Sequence, residues 1–87
     1  MTIYEAIRYG IQNINSDTPQ LDAEVLLSDV LCKDRIYLIL HRDEVLDNKT
    51  IEKFIEYVDR RKRGEPVAYI INKREFYGYE FYVEREF

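Results

Sequence analysis

Four consecutive cations, Arg60-Arg61-Lys62-Arg63, form the one basic run of this 87-residue chain. Side chains of this type at this density can hold phosphate, RNA or an acidic protein surface. They also suit the C-terminal end of a helix, where the dipole favours positive charge. Glu56 and Asp59, four residues before Arg60 and Arg63, would then pair with them in part. Eight tyrosines are present, and Tyr69, Tyr77, Tyr79 and Tyr82 fall close together. They read as a binding platform, or as rings that close the C-terminal segment against a neighbouring domain.

Other chemistry is thin. His41, the single histidine, lies in a polar stretch with Asp43 and Glu44. One imidazole and two carboxylates do not define a metal or catalytic site, so it reads as a surface histidine. Cys32, the single cysteine, excludes an internal disulfide and any multi-cysteine metal site. At a helix end it reads as a small buried hydrophobe. The three glycines, at 10, 64 and 78, are too far apart to cradle a phosphate. No residue here is expected to be catalytic, cofactor-binding or metal-ligating.

Composition narrows the class. Hydrophobic residues make up 46% and charged residues 34%, which suits one small folded domain rather than a disordered chain. The net charge of -4 argues against a dedicated nucleic-acid binder. That excess lies in the first third: residues 1–32 hold five acids and one base, whereas residues 33–87 hold twelve of each. No apolar run approaches the roughly 20 residues of a membrane span. Thr2-Ile3-Tyr4-Glu5 does not open a secretory signal. The expectation is a cytoplasmic protein without a membrane partner.

These residues must be positioned by helices. Thr2 and Glu5 fit a capping box, and Ile3, Ala6, Ile7, Gly10, Ile11 and Ile14 then share one helical face ending near Asn15. Ala6 and Gly10, four apart, would let another helix approach closely. Thr18-Pro19 starts a second helix whose stripe is Ala23, Leu26, Leu27, Val30 and Leu31, widened by Leu21 and Val25. Asp22 and Glu24 sit where the dipole favours acids. Asp34 caps a short third helix with Ile36, Ile39 and Leu40 inward, followed by a polar loop from His41 to Glu44. Asp47 caps a fourth helix, Leu46 and Ile51 form a hydrophobic staple, and Ile51, Phe54, Ile55 and Val58 face the core. Gly64 ends that helix. Leu27 and Phe54 are expected at the centre of the core.

The remainder changes character. Glu65-Pro66 allows a short helix with Pro66 as its first residue, but Val67 to Ile71 reads equally as a strand. Lys73 to Tyr77 and Glu80 to Glu84 fit a hairpin around Gly78-Tyr79, with Phe76 opposite Phe81. The expected division is a helical bundle over residues 1–72 and a β-hairpin linker over 73–87.

Three stretches, in order, carry a resemblance. Leu21-Asp22-Ala23-Glu24-Val25-Leu26-Leu27 is the first. Arg60-Arg61 through Gly64-Glu65-Pro66-Val67-Ala68-Tyr69-Ile70 is the second. Glu75-Phe76-Tyr77-Gly78 with Phe81 and Val83 is the third. Together they resemble the N-terminal region of the HemK (PrmC) family, the methyltransferases that modify peptide-chain release factors. The likeness covers essentially the whole chain, and its second and third stretches are the specific ones.

The resemblance implies a bundle of about five helices followed by a β-hairpin leading into a second domain, and so favours the helical reading after Pro66. It implies that the parent transfers a methyl group from S-adenosylmethionine to the glutamine amide of the GGQ motif in class-1 release factors. In that family the N-terminal domain helps to recognise the substrate and the C-terminal domain does the chemistry. The family's IPRPETE-like segment, glycine-rich cofactor loop and NPPY motif do not occur in residues 1–87. No catalytic residue is therefore carried over, and S-adenosylmethionine is expected to bind the parent outside these residues. An end at Phe87 is what a piece cut before the catalytic domain would show. Arg60, Arg61, Arg63, Tyr69, Phe76, Tyr77, Gly78 and Phe81 are the candidates for contact with a release factor or with the parent's own methyltransferase domain. A free-standing helical module bound to nucleic acid or the ribosome through the basic run and the tyrosines is the alternative.

Overall fold

The computed structural model describes residues 1–72, which form five helices: α1 (Ile3–Asn13), α2 (Pro19–Leu31), α3 (Arg35–Leu40), α4 (Asn48–Lys62) and α5 (Val67–Asn72). The hairpin expected over 73–87 lies outside the described residues. α2 is the central element, packed on all four other helices, and α1 also meets α4. The core is built from Ile3, Ala6 and Ile14 of the first segment, Ala23, Leu26 and Leu27 of α2, Leu38, Leu46, Ile70, and Phe54, Tyr57 and Val58 of α4. Leu27 and Phe54 are fully buried, as expected.

Helix starts follow local chemistry. The Thr2 hydroxyl accepts from the Glu5 N–H at 3.2 Å and the Glu5 carboxylate accepts from the Thr2 N–H at 2.8 Å, completing the capping box. The remaining unpaired donors of the first turn are met from outside the helix. Ile3 N–H donates to the Glu44 carbonyl and Tyr4 N–H to the Arg42 carbonyl, each at 3.0 Å. An antiparallel bridge between Thr2 and Val45 extends this seam. Asp34 and Asp47 accept from Tyr37 N–H and Thr50 N–H at 2.9 and 2.8 Å. Hydrogen bonds from Thr50 hold the Asp47 carboxyl below its ordinary value.

Two helices end in the same six-residue turn. At α4, Glu65 N–H donates to the Arg60 carbonyl and Gly64 N–H to the Arg61 carbonyl, with Gly64 at φ 100°. At α2, Lys33 N–H donates to the Ser28 carbonyl and Cys32 N–H to the Asp29 carbonyl, with Cys32 at φ 58°. Cys32 is thus exposed rather than buried, because the left-handed turn swings it off the packed face. The chain after Pro66 is helical. The Pro66 carbonyl accepts from Ile70 N–H at 3.2 Å, and α5 begins at Val67, one residue later than expected.

Three expectations about facing are corrected. Ile36, Ile39 and Leu40 point outward, and Leu38 is the buried residue of α3. α3 packs chiefly on α2, so a six-residue helix turns one residue to the core and the rest away. Leu21 is exposed because it lies two residues, about 200° of helix, from Ala23. On α4, Tyr57 takes a core position and Ile55 sits at the boundary with solvent.

Candidate functional site

The basic run occupies the last turn of α4 and its cap, and its four members have different fates. Arg60 is drawn back by the turn at Gly64. Its Nε donates to Glu65 Oε1 at 2.8 Å and its Nη2 to Glu65 Oε2. These bonds go to Glu65 and not to Glu56, and they raise the Arg60 pKa further above its ordinary value. Arg61 reaches across the bundle, its Nε donating to Asp22 Oδ2 at 3.0 Å and its Nη1 to the Glu65 carbonyl at 3.3 Å. Arg63 is exposed and pairs with Asp59 at 3.2 Å along the helix, as its spacing suggested. Lys62 is exposed.

Asp22 is the hub of this corner. It is buried, and it accepts from Ser16 Oγ at 2.8 Å, from Thr18 Oγ1 at 3.2 Å and from Arg61. Three donors satisfy a carboxylate that burial alone would penalise. The arrangement ties the α1–α2 loop, the start of α2 and the end of α4 together. Glu24, also buried, plays the same part toward Arg35, whose Nε and Nη2 both bond Glu24 Oε1 at 3.0 and 2.8 Å. Reasoning from the dipole alone missed these roles. A partial signal was available: the apolar residues from Leu21 to Leu27 leave α2 no wholly polar face, so an acid within that run lies beside apolar neighbours and calls for a partner.

Of the residues singled out from sequence, the corner therefore presents Arg63 and Tyr69 to solvent and commits Arg60 and Arg61 to internal bonds. Phe76, Tyr77, Gly78 and Phe81 lie outside the described residues. His41 is exposed and stacks on Tyr37, centroids 3.9 Å apart, with Nδ1 3.0 Å from the Tyr37 carbonyl oxygen. The Tyr37 hydroxyl donates to Glu44 at 2.6 Å, a bond that raises its pKa. Among the described residues, no three His, Cys, Asp or Glu side chains gather as metal ligands. No helix among them is long and apolar enough to cross a membrane.

The chain matches the PrmC N-terminal domain model over residues 5–71. It is 45% identical over 67 residues to a release factor glutamine methyltransferase of Vibrio cholerae, covering 77% of this chain and 23% of that protein. To the release factor glutamine methyltransferase of Clostridium acetobutylicum it is 36% identical over 75 residues, 86% of this chain and 26% of that one. A bifunctional methyltransferase of Rickettsia conorii is 39% identical over 75 residues, 86% of this chain and 14% of its own. The chain thus spans about a quarter of the length of the release factor glutamine methyltransferases it matches. No solved structure matches it. A five-helix bundle over 1–72, coincident with a family match over 5–71, leaves one conclusion: the chain belongs to the PrmC N-terminal domain family.

Proposed function

We propose that this chain is the substrate-recognition domain of a release factor glutamine methyltransferase. The observation that carries the reading is its 36–45% identity to proteins of that name across most of its length. In this reading a further domain of the parent binds S-adenosylmethionine and transfers the methyl group to the GGQ glutamine amide of a class-1 release factor. The helical domain contributes by gripping the release factor away from the reacting amide. Binding energy from such a remote contact lowers the barrier by holding amide and methyl donor in line. Arg63 and Tyr69 are the outward-facing contacts at the α4–α5 corner, and Arg60 and Arg61 hold that corner in shape. Phe76, Tyr77, Gly78 and Phe81 are assigned to the junction with the methyltransferase domain.

The test is calorimetric titration of the 87-residue chain with a class-1 release factor and, separately, with S-adenosylmethionine. One-to-one binding of the release factor, weakened by salt and by Arg63→Glu, is expected, with no heat from the cofactor. A release factor that does not bind would remove the recognition role. Cofactor binding would move part of the chemistry into this domain.

A further inference from the structure

α3 turns three of its four aliphatic side chains toward solvent: Ile36 is 63% exposed, Ile39 62% and Leu40 72%. Val45, in the segment that follows, is 72% exposed. So much aliphatic surface on one short element of a small domain marks a contact face. Ile39 also borders a groove of about 410 Å³ between α1, the start of α2 and α3. Ile7, Ile11 and Leu38 supply its apolar lining and Gln20 and Glu24 a polar side. The volume lies within the range of ligand-binding clefts, roughly 300–1,000 Å³.

Charge distinguishes the two ends. At one end Glu24 is already paired, with Arg35 at 2.8 Å. Tyr4 lines the groove together with Arg8 and Arg42. The Arg42 guanidinium stands 4.8 Å from the Tyr4 ring centroid and that of Arg8 5.9 Å, with Arg8 Nη1 donating to the Tyr4 hydroxyl at 3.3 Å. Among the described residues, Arg35, Arg60, Arg61 and Arg63 each pair with a carboxylate, and Arg8 and Arg42 do not. Nearby acids are committed elsewhere: Glu5 to the Thr2 N–H and Glu44 to the Tyr37 hydroxyl. Two guanidiniums already ordered against one ring lose little freedom on meeting a carboxylate, and their donors match it.

We propose that the α1–α2–α3 groove docks an amphipathic segment of a partner protein, its aliphatic side chains against Ile7, Ile11 and Ile39 and a carboxylate held by Arg8 and Arg42. This rests on the reading of the chain as a protein-recognition domain and names the chemistry that it recognises. A protein segment fits better than RNA. The apolar lining is aliphatic apart from one ring, that ring already carries the two guanidiniums, and the chain is net negative.

The experiment selects from a random 16-residue peptide display library on the immobilised 87-residue chain, then measures selected peptides by fluorescence anisotropy. Peptides with an Asp or Glu three or four positions from aliphatic residues are expected. Arg8→Glu with Arg42→Glu should weaken them at least tenfold and Ile39→Ser several-fold, with unchanged circular dichroism and thermal melts. A class-1 release factor bound to the chain should be displaced by the same peptides. If the release factor binds but neither the peptides nor the charge reversals affect it, the groove assignment fails and the recognition role stands. If the peptides bind as described and the release factor does not bind at all, the release-factor reading fails and the groove stands. Enrichment without acidic residues, indifference to the charge reversals, displacement by an RNA oligomer, or a concentration-dependent dimer abolished by Ile39→Ser would each overturn the proposal.

Discussion

Asp22 and Arg61 lie 39 positions apart and meet at 3.0 Å, with Ser16 and Thr18 completing the carboxylate's shell. The side chains are 10% and 22% exposed, so water screens this pair far less than it screens Arg63–Asp59 at the surface. Removing one member strands a buried charge. Arg61→Ala is therefore expected to cost about 3 kcal/mol in urea unfolding. In the Asp22→Asn, Arg61→Ala pair the losses should be less than additive, since the second change removes a charge that the first left alone. A loss below roughly 0.5 kcal/mol for Arg61→Ala would show that the network contributes nothing to stability. Arg63→Ala, by the same measurement, should be close to silent.

Close approach of α1 to α2 depends on Gly10. A Cβ at that position would lie 2.7 Å from Ala23 Cβ and 3.4 Å from Phe54 Cζ, with Ala23 Cα behind at 3.6 Å. Alanine would gain about 1 kcal/mol of helix propensity over glycine. A carbon–carbon contact of that length cannot be kept, however, and no flexible side chain is there to give way. Overpacking of this kind costs about 1–3 kcal/mol, so the helices must separate and Phe54 must shift. Gly10→Ala is expected to lower the thermal midpoint, although the same change on an open helix face would raise it. An unchanged or higher midpoint would show that α1 can slide on α2 without penalty.

Among the described residues, one core lies at the crossing of α1, α2 and α4, into which α3 and α5 each send one fully buried residue, Leu38 and Ile70. Among the described residues Phe54 is the largest fully buried side chain, and Leu27 faces the same core from α2. Phe54→Ala is expected to cost about 3–5 kcal/mol and Leu27→Ala about 2–5 kcal/mol in denaturant unfolding. Domains of this size hold roughly 5–15 kcal/mol in all, so either variant should be partly unfolded near its working temperature. Wild-type denaturant midpoints in both would mean that the core lies elsewhere.

Five boundaries were legible in the sequence: the helix starts at Thr2, Thr18-Pro19, Asp34 and Asp47, and the glycine turn at Gly64. So were the inward faces of α1 and α4 around Ala6, Gly10, Phe54 and Val58. Caps and turns form between residues no more than five apart, and a long stripe at helical period names its own buried side. The motifs around Leu21–Leu27 and Arg60–Ile70 carried the family likeness in the same way, without reference to any fold. Tertiary structure decided the rest. Ile36, Leu38, Ile39 and Leu40 are interchangeable as aliphatic residues, and only the position of α2 selects Leu38 for burial. Four adjacent cations look alike in sequence. Two are spent inside the chain because Asp22, 39 positions earlier, and Glu65, beyond a left-handed turn, are brought to them by packing. Burial and ion pairing depend on neighbours that the chain supplies from a distance, and periodicity within one helix carries no record of them.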